Sequence, residues 1–232
     1  IEIIRGAASL QYGSQFGGLL NFRIKKPAKK YLEFTTRNTG GMYGYFGTFN
    51  RLTGTAKNFS YNTYYQYKRA DGYRPNSKFD QHQFFANLNY QFTEKIRLGL
   101  EYTYMNYLAK QPGGLTDQEF ENDPRQSKRD RNWFKVNWNL IALNFDWEFS
   151  NATKLNVRAF SNLSSRSALG WLGRIDRPDL GTERDLIQGQ FRNIGGEARI
   201  LHKYKLGKNY GAFLFGARVA VGHTNSKQGL AN

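Results

Sequence analysis

Two clusters of cations are the residues of this sequence with a chemistry to offer. Arg166, Arg174, Arg177 and Arg184, read as belonging to a loop after the seventh strand, form one, and Arg125, Lys128, Arg129 and Arg131, in the long loop before it, form the other. A guanidinium presents a planar fork that meets a carboxylate through two hydrogen bonds and does not lose its charge, so either cluster suits an anionic ligand. The plainer role is mutual neutralisation. Asp176, Asp179, Glu183 and Asp185 interleave with the first cluster, and Asp117, Glu119, Glu121, Asp123 and Asp130 with the second, as ion pairs do in solvated loops. Bond-changing chemistry has little support. With no cysteine, disulfides and thiolate metal sites are excluded, and three histidines, His82, His202 and His223, are a thin basis for an imidazole centre. Asp146 and Glu148 share one strand face, but nothing accompanies them as a catalytic partner, so they read as groups facing water. The expectation is a protein that is not an enzyme and has no metal or cofactor of its own.

The elements that carry these residues read as strands. A chain of 232 residues with 4 Trp, 15 Tyr and 18 Phe has ample apolar surface to fold. Yet no apolar run approaches the roughly 20 residues of a membrane-spanning helix. From Tyr31 onward the dominant period is two. His82, Phe84, Ala86, Leu88, Tyr90 and Phe92 alternate with Gln83, Asn87, Asn89 and Gln91, with Phe85 the exception. Ile96 to Tyr104, Ile141 to Phe149, Phe59 to Tyr67 and Phe213 to Val221 repeat the split, and helical spacing is nowhere sustained.

Connections alternate in length. Short turns fall near Ala56 to Asn58, Glu94 to Lys95, Asn151 to Thr153 and Gly207 to Asn209, whereas Gly113 to Asn132 and Arg174 to Gln190 read as long, charged loops. A transmembrane β-barrel has this asymmetry, with trim turns on one side, elaborate loops on the other, an apolar outer band and a polar lumen. A soluble sandwich also alternates, but its strands run to about five or six residues, and these patterns continue far longer. The formal charge of +16 points to nucleic acid, an anionic membrane surface or an anionic ligand. Nucleic acid is disfavoured, because the aromatics follow the outward strand face and the cations follow the loops and lumen instead of sharing a groove.

Ile1 to Pro27 departs from the barrel pattern: two short apolar stretches flank a centre rich in glycine, as in two strands joined by a bent loop. Its Glu2, Arg5, Gly6, Tyr12, Gly13, Gly17, Gly18, Asn21 and Lys26 match a motif, and the segment resembles the end of the plug domain of TonB-dependent outer-membrane transporters. Ala7 stands where that family usually has proline. Gln111 to Asp117 (QPGGLTD), Asp123 to Ser127 (DPRQS) and Arg131 to Trp133 (RNW) look like the ferric-citrate branch.

The resemblance implies an all-β architecture. Residues 1–30 would be the C-terminal end of a plug, and 31–232 the N-terminal part of a barrel, with about nine strands of an expected total of about 22. It places the chain in the outer membrane of a Gram-negative bacterium and implies import of a ferric siderophore, most specifically ferric citrate, driven by the TonB energy-coupling complex through a segment upstream. Arg125, Arg129, Arg166, Arg174, Arg177 and Arg184, with Gln11, Tyr12 and Gln15 at the plug apex, would then be the ligand-binding candidates. Arg5 would face carboxylates of the barrel wall, among Glu101, Asp146, Glu148 and Glu197. Outer-membrane lipid and lipopolysaccharide are the remaining partners. Haem, cobalamin or an oligosaccharide is the alternative cargo, and an ungated porin or adhesin barrel the alternative architecture.

Overall fold

The computed structural model describes residues 1–5, 17–171 and 173–231. Two short strands, β1 (Glu2–Ile4) and β2 (Leu19–Asn21), pair antiparallel with Glu2 opposite Asn21. Nine further strands form one antiparallel sheet in unbroken chain order: β3 (Glu33–Gly40), β4 (Phe46–Ala56), β5 (Phe59–Ala70), β6 (Phe79–Thr93), β7 (Ile96–Lys110), β8 (Trp133–Glu148), β9 (Thr153–Gly170), β10 (Arg184–Leu206) and β11 (Asn209–Ala231). This is the all-β architecture expected from the alternation and the partial barrel implied by the resemblance. Each strand bonds to its sequence neighbour, and β3 and β11 are the edges.

The turns also fall as expected. β4–β5, β6–β7, β8–β9 and β10–β11 are joined at one end by tight turns, while 41–45, 71–78, 111–132 and 171–183 connect the strands at the other. Lys57 (φ 52°) and Gly207 (φ 62°) take the left-handed conformation that a two-residue hairpin turn demands.

The N-terminal segment itself identifies the inner face. After β2 the chain runs along β4 and β5: Asn62 Nδ2 donates to the Lys25 carbonyl at 3.1 Å, Ala28 N–H to Thr53 Oγ1 at 3.0 Å, and Thr55 Oγ1 to the Ala28 carbonyl at 2.7 Å. Side chains of that parity are inner across all nine strands, and they include Asn87, Asn89, Arg97, Glu101, Asn144, Asp146, Asn156 and Arg158. The opposite parity is greasy. Phe213, Phe215, Val219, Val221 and Ile194 are exposed there on β10 and β11. The stretch from Ile194 to Tyr204, at about 3.3 Å per residue and tilted by about 40°, rises about 25 Å, the height of a lipid-facing band.

Four expectations need correction. Arg166 is not in a loop but within β9, and β10 begins at Arg184, so the long connection ends there and Arg184 to Gln190 are strand. A sheet continues through them because each residue finds a ladder partner, from Asp185 opposite Gly170 to Gln190 opposite Ser165. A helix, α1 (Asp117–Asn122), interrupts the 111–132 connection; Thr116 accepts from the Glu119 N–H and the Glu119 side chain returns to the Thr116 N–H, a capping box. Nor do the aromatics keep to the outer face. Phe85, 3% exposed, stacks on Tyr64 at 5.3 Å, and Tyr64 packs on Phe49 at 5.3 Å, all on inner positions above the polar belt.

Candidate ligand site at the loop end of the sheet

Three connections interlock at the elaborate end. From 71–78, Arg74 reaches into 111–132, donating Nε to the Gln126 carbonyl at 2.8 Å and Nη1 to the Gly113 carbonyl at 2.8 Å. Beside it Asn76, in the left-handed region at φ 53°, places its amide against the carbonyls of Gln111 (3.1 Å), Asn132 (3.2 Å) and Arg129. Three residues from 111–132 then cross to 171–183. The Lys128 ammonium bridges the Glu119 carboxylate and the Ile175 carbonyl. The Arg129 guanidinium, 4% exposed, lies 4.2 Å from the Trp171 ring centroid and donates to the Arg174 carbonyl at 3.2 Å. Arg131 Nη2 donates to the carbonyls of Gly181 (2.7 Å) and Thr182 (2.5 Å). These loops carry few apolar side chains, so carbonyls that water would otherwise satisfy are tied by cations instead.

The candidates therefore divide by position. Arg129 and Arg184 are buried and directed at protein groups. Arg184, 2% exposed, forks onto Asp179. Arg125 is exposed, with its guanidinium 5.4 Å from the Tyr73 ring. Arg174 pairs with Asp176 at 3.0 Å in the open, its side chain 78% exposed. Arg177 is exposed, and Arg166 projects from the inner face of β9 with Phe191 5.7 Å away. Gln11, Tyr12, Gln15, Gly6 and Gly13 lie outside the described residues. Arg74 and Asn76 were not singled out from the sequence. Arg74-Pro75-Asn76 signals a turn, but nothing local reveals a reach of some forty residues along the chain.

Two carboxylates outside the strands of the large sheet are held ionised. Glu119 sits at about 2, below its ordinary 4.5, first through the hydrogen bond from Lys128 and then through the Thr116 N–H. Glu2 is lowered by hydrogen bonds from Arg23, at 2.7 Å, and Asn21, at 2.8 Å, which tie β1 to β2 across their shared face.

Near the tight-turn end, the inner face carries a belt of ion pairs and amides. Arg97 meets Asp146 at 2.6 Å, Asn156 donates to Asp146 at 2.7 Å, and Arg158 lies 3.6 Å from Glu101. Glu197 receives Arg199 at 2.5 Å, with Arg218 at 4.0 Å. The 21–27 segment and this belt line an open groove of about 850 Å³. Glu101, Asp146, Glu148 and Glu197 thus meet cations of the sheet, while Arg5 is exposed and has no ion pair among the described residues.

No protein-family model matches the chain. Solved structures do. The ferric citrate transporter FecA in its unliganded form superposes with a TM-score of 0.82 over 99% of this chain and 35% of its own, at 20% identity. The ferripyoverdine receptor of the outer membrane of Pseudomonas aeruginosa, bound to ferripyoverdine, gives 0.82 over 97% of this chain and 32% of its own, at 13% identity. BauA, the ferric preacinetobactin receptor from Acinetobacter baumannii, gives 0.72 over 88% of this chain and 32% of its own, at 10% identity. The chain spans about a third of the length of each. Nine meandering strands with an occupied inner face, trim at one end and looped at the other, make this the fold of a section of the TonB-dependent outer-membrane receptors.

Proposed function

We propose that this chain is part of a Gram-negative outer-membrane receptor that binds a ferric chelate at its outer mouth and imports it with energy from the TonB complex. In this reading residues 1–30 end a plug domain and 31–232 are the first barrel strands. The observation that carries it is the run of residues 25–28 along the inner wall, bonded to Thr53, Thr55 and Asn62. An ungated pore has no use for a chain segment hydrogen-bonded along its inner wall ahead of the first barrel strand. The similarity in fold to receptors of ferric citrate, ferripyoverdine and ferric preacinetobactin supports an iron chelate as cargo.

Within that class we infer ferric citrate. Its carboxylates suit guanidinium forks, and Arg166, Arg174, Arg177 and Arg125 are the candidates whose side chains remain exposed. Arg129 and Arg184 would then shape the mouth by holding the loops, and Gln11, Tyr12 and Gln15 would meet the chelate from below. A larger siderophore is the second reading, favoured by Phe160, Phe191 and the half-exposed Trp138 on the inner face above the ionic belt. Calorimetry on the full-length receptor with ferric dicitrate, iron-free citrate and a catecholate siderophore separates the two. Heat from ferric dicitrate alone supports citrate, and heat from the catecholate alone moves the cargo to the second reading. Silence with every iron chelate tried would remove iron from the proposal.

A further inference from the structure

The outward face of β5 and β6 carries a cluster of polar donors close to where these strands leave for the 71–78 connection. His82 lies opposite Tyr67, with Asp80 two positions along β6 on the same face and Tyr65 two positions along β5. Asp80 links the two rings: its Oδ2 accepts from the Tyr67 hydroxyl at 2.7 Å, and its Oδ1 lies 3.1 Å from His82 Nε2. On the far side of the imidazole, Nδ1 lies 2.7 Å from the Tyr65 hydroxyl. The row that holds Tyr67 and His82 continues to Thr48 on β4 and Asn106 on β7, neither of them charged.

An imidazole nitrogen beside carboxylate and phenol oxygens is a donor set for a first-row transition-metal ion. Alternation brings the three together, since residues two apart on one strand and a third across the ladder share a face of the sheet. Donors held about 2.0–2.1 Å from an ion and at right angles to each other stand about 2.9 Å apart. The spacings at Asp80, 2.7 and 3.1 Å, fall on either side of that value. Tyr65 supplies what a ligating histidine takes on its other nitrogen, an oxygen partner that fixes the ring and its tautomer. The Asp80 and His82 side chains are each 41% exposed, so an ion reaches them from solution. Arg69, opposite Asp80 on β5, is exposed and has no carboxylate within ion-pair distance among the described residues, which leaves Asp80 to the two rings.

We propose that Tyr67, Asp80 and His82 form a binding site for a divalent first-row transition-metal ion, copper(II) before the others. A mixed nitrogen and oxygen set suits copper(II), and copper stands first in affinity among these ions. Calcium, which takes about 6–8 oxygens, is poorly served. On binding, the imidazole proton moves from Nε2, where Asp80 accepts it, to Nδ1, where the Tyr65 oxygen accepts it. The Tyr67 hydroxyl releases its proton to water as its oxygen joins the ion. The bound ion ties β5 to β6 beneath the 71–78 connection, whose Arg74 and Asn76 hold the neighbouring loop. The inference rests on the geometry of the sheet and stands apart from the import reading.

The test uses tag-free full-length receptor in detergent, titrated with Cu2+ by calorimetry in two buffers of different ionisation enthalpy, with electron paramagnetic resonance on the loaded protein. The expected result is about one ion bound per chain, about one proton released per ion, and an imidazole nitrogen in the copper spectrum. H82Q and D80N should abolish this site. Y67F should bind more weakly and lose the proton release, and Y65F should weaken binding by about 10-fold or more. R69Q, which removes a neighbouring charge and no donor, should bind at least as tightly as the wild type, and H202Q should match it. No stoichiometric copper on the wild type, wild-type affinity in H82Q, unchanged proton release in Y67F, or displacement of the copper by equimolar Ca2+ overturns the proposal.

Discussion

Arg184 forks onto Asp179, its Nη2 lying 2.6 and 2.8 Å from the two carboxylate oxygens, and the guanidinium is 2% exposed. The pair joins the first residue of β10 to the connection that precedes it, so the long loop is fixed at its strand end. Removing one partner of a buried pair strands the other charge, which typically costs about 3 kcal/mol or more. R184A should therefore free the 173–183 stretch, seen as faster amide exchange and a new protease-sensitive site there. Exchange at wild-type rates would show that Lys128, Arg129 and Arg131 hold the loop without it.

Acid should loosen a different connection. Because the folded Glu119 titrates at about 2 against an ordinary 4.5, its contribution to loop order is complete above pH 4.5 and is lost as pH falls toward 2. Pepsin digestion of the 111–132 connection should accelerate only over that lower window, and E119Q should be cleaved at a rate independent of pH once pepsin's own profile is divided out. Protection already lost at pH 5 would contradict the assignment.

Gly18 has φ 90°, and a Cβ there would come 2.8 Å from the Ile4 carbonyl oxygen. G18A forces an alanine into the left-handed region against backbone, for about 1–3 kcal/mol. The expected signature is loss of amide protection at 2–4 and 19–21 with the large sheet unaffected. G17A, whose Cβ meets nothing within 4 Å, should leave protection intact. Equal effects from the two variants would refute the close-approach account.

If Arg174 and Arg177 contact the carboxylates of a chelate, R174A/R177A should weaken ferric dicitrate binding by about 2 kcal/mol or more in the full-length receptor. Calorimetry decides it. An unchanged affinity would leave Arg174 with Asp176 as its sole partner and return both to the solvated surface.

The sheet was legible because alternation is a local property: Gln81 to Phe92 can be sorted onto two faces by eye, and the tight turns announce themselves between such runs. Phe85 broke the pattern for a reason no local rule supplies, since Tyr64 and Phe49 wait for it on neighbouring strands. α1 could have been found, because Thr116 and Glu119 stand at capping-box spacing. Its six residues were too short to show a period. At the loop end the sequence showed charges without partners. Arg184 and Asp179 are five residues apart and could be paired by inspection, but Arg74 and Gln126, or Lys128 and Ile175, are joined only by the fold. Arg166 was misplaced in a loop because the outer face of β9 loses its apolar signature there: Ser161, Ser165 and Ser167 face outward where valine or leucine would have marked a strand.

Since the strands of the large sheet bond only to their neighbours in sequence, none of its pairings asks distant parts of the chain to find each other. The widest gap to be closed is the 111–132 connection, and loop-closure entropy grows only with the logarithm of length. Such a meander has low contact order for an all-β protein and can be laid down one hairpin at a time, each new ribbon templated on the edge left by the last. Assembly of this section is therefore a matter of sequential zippering, in which a stalled hairpin leaves behind a correctly formed but shorter sheet rather than a tangle.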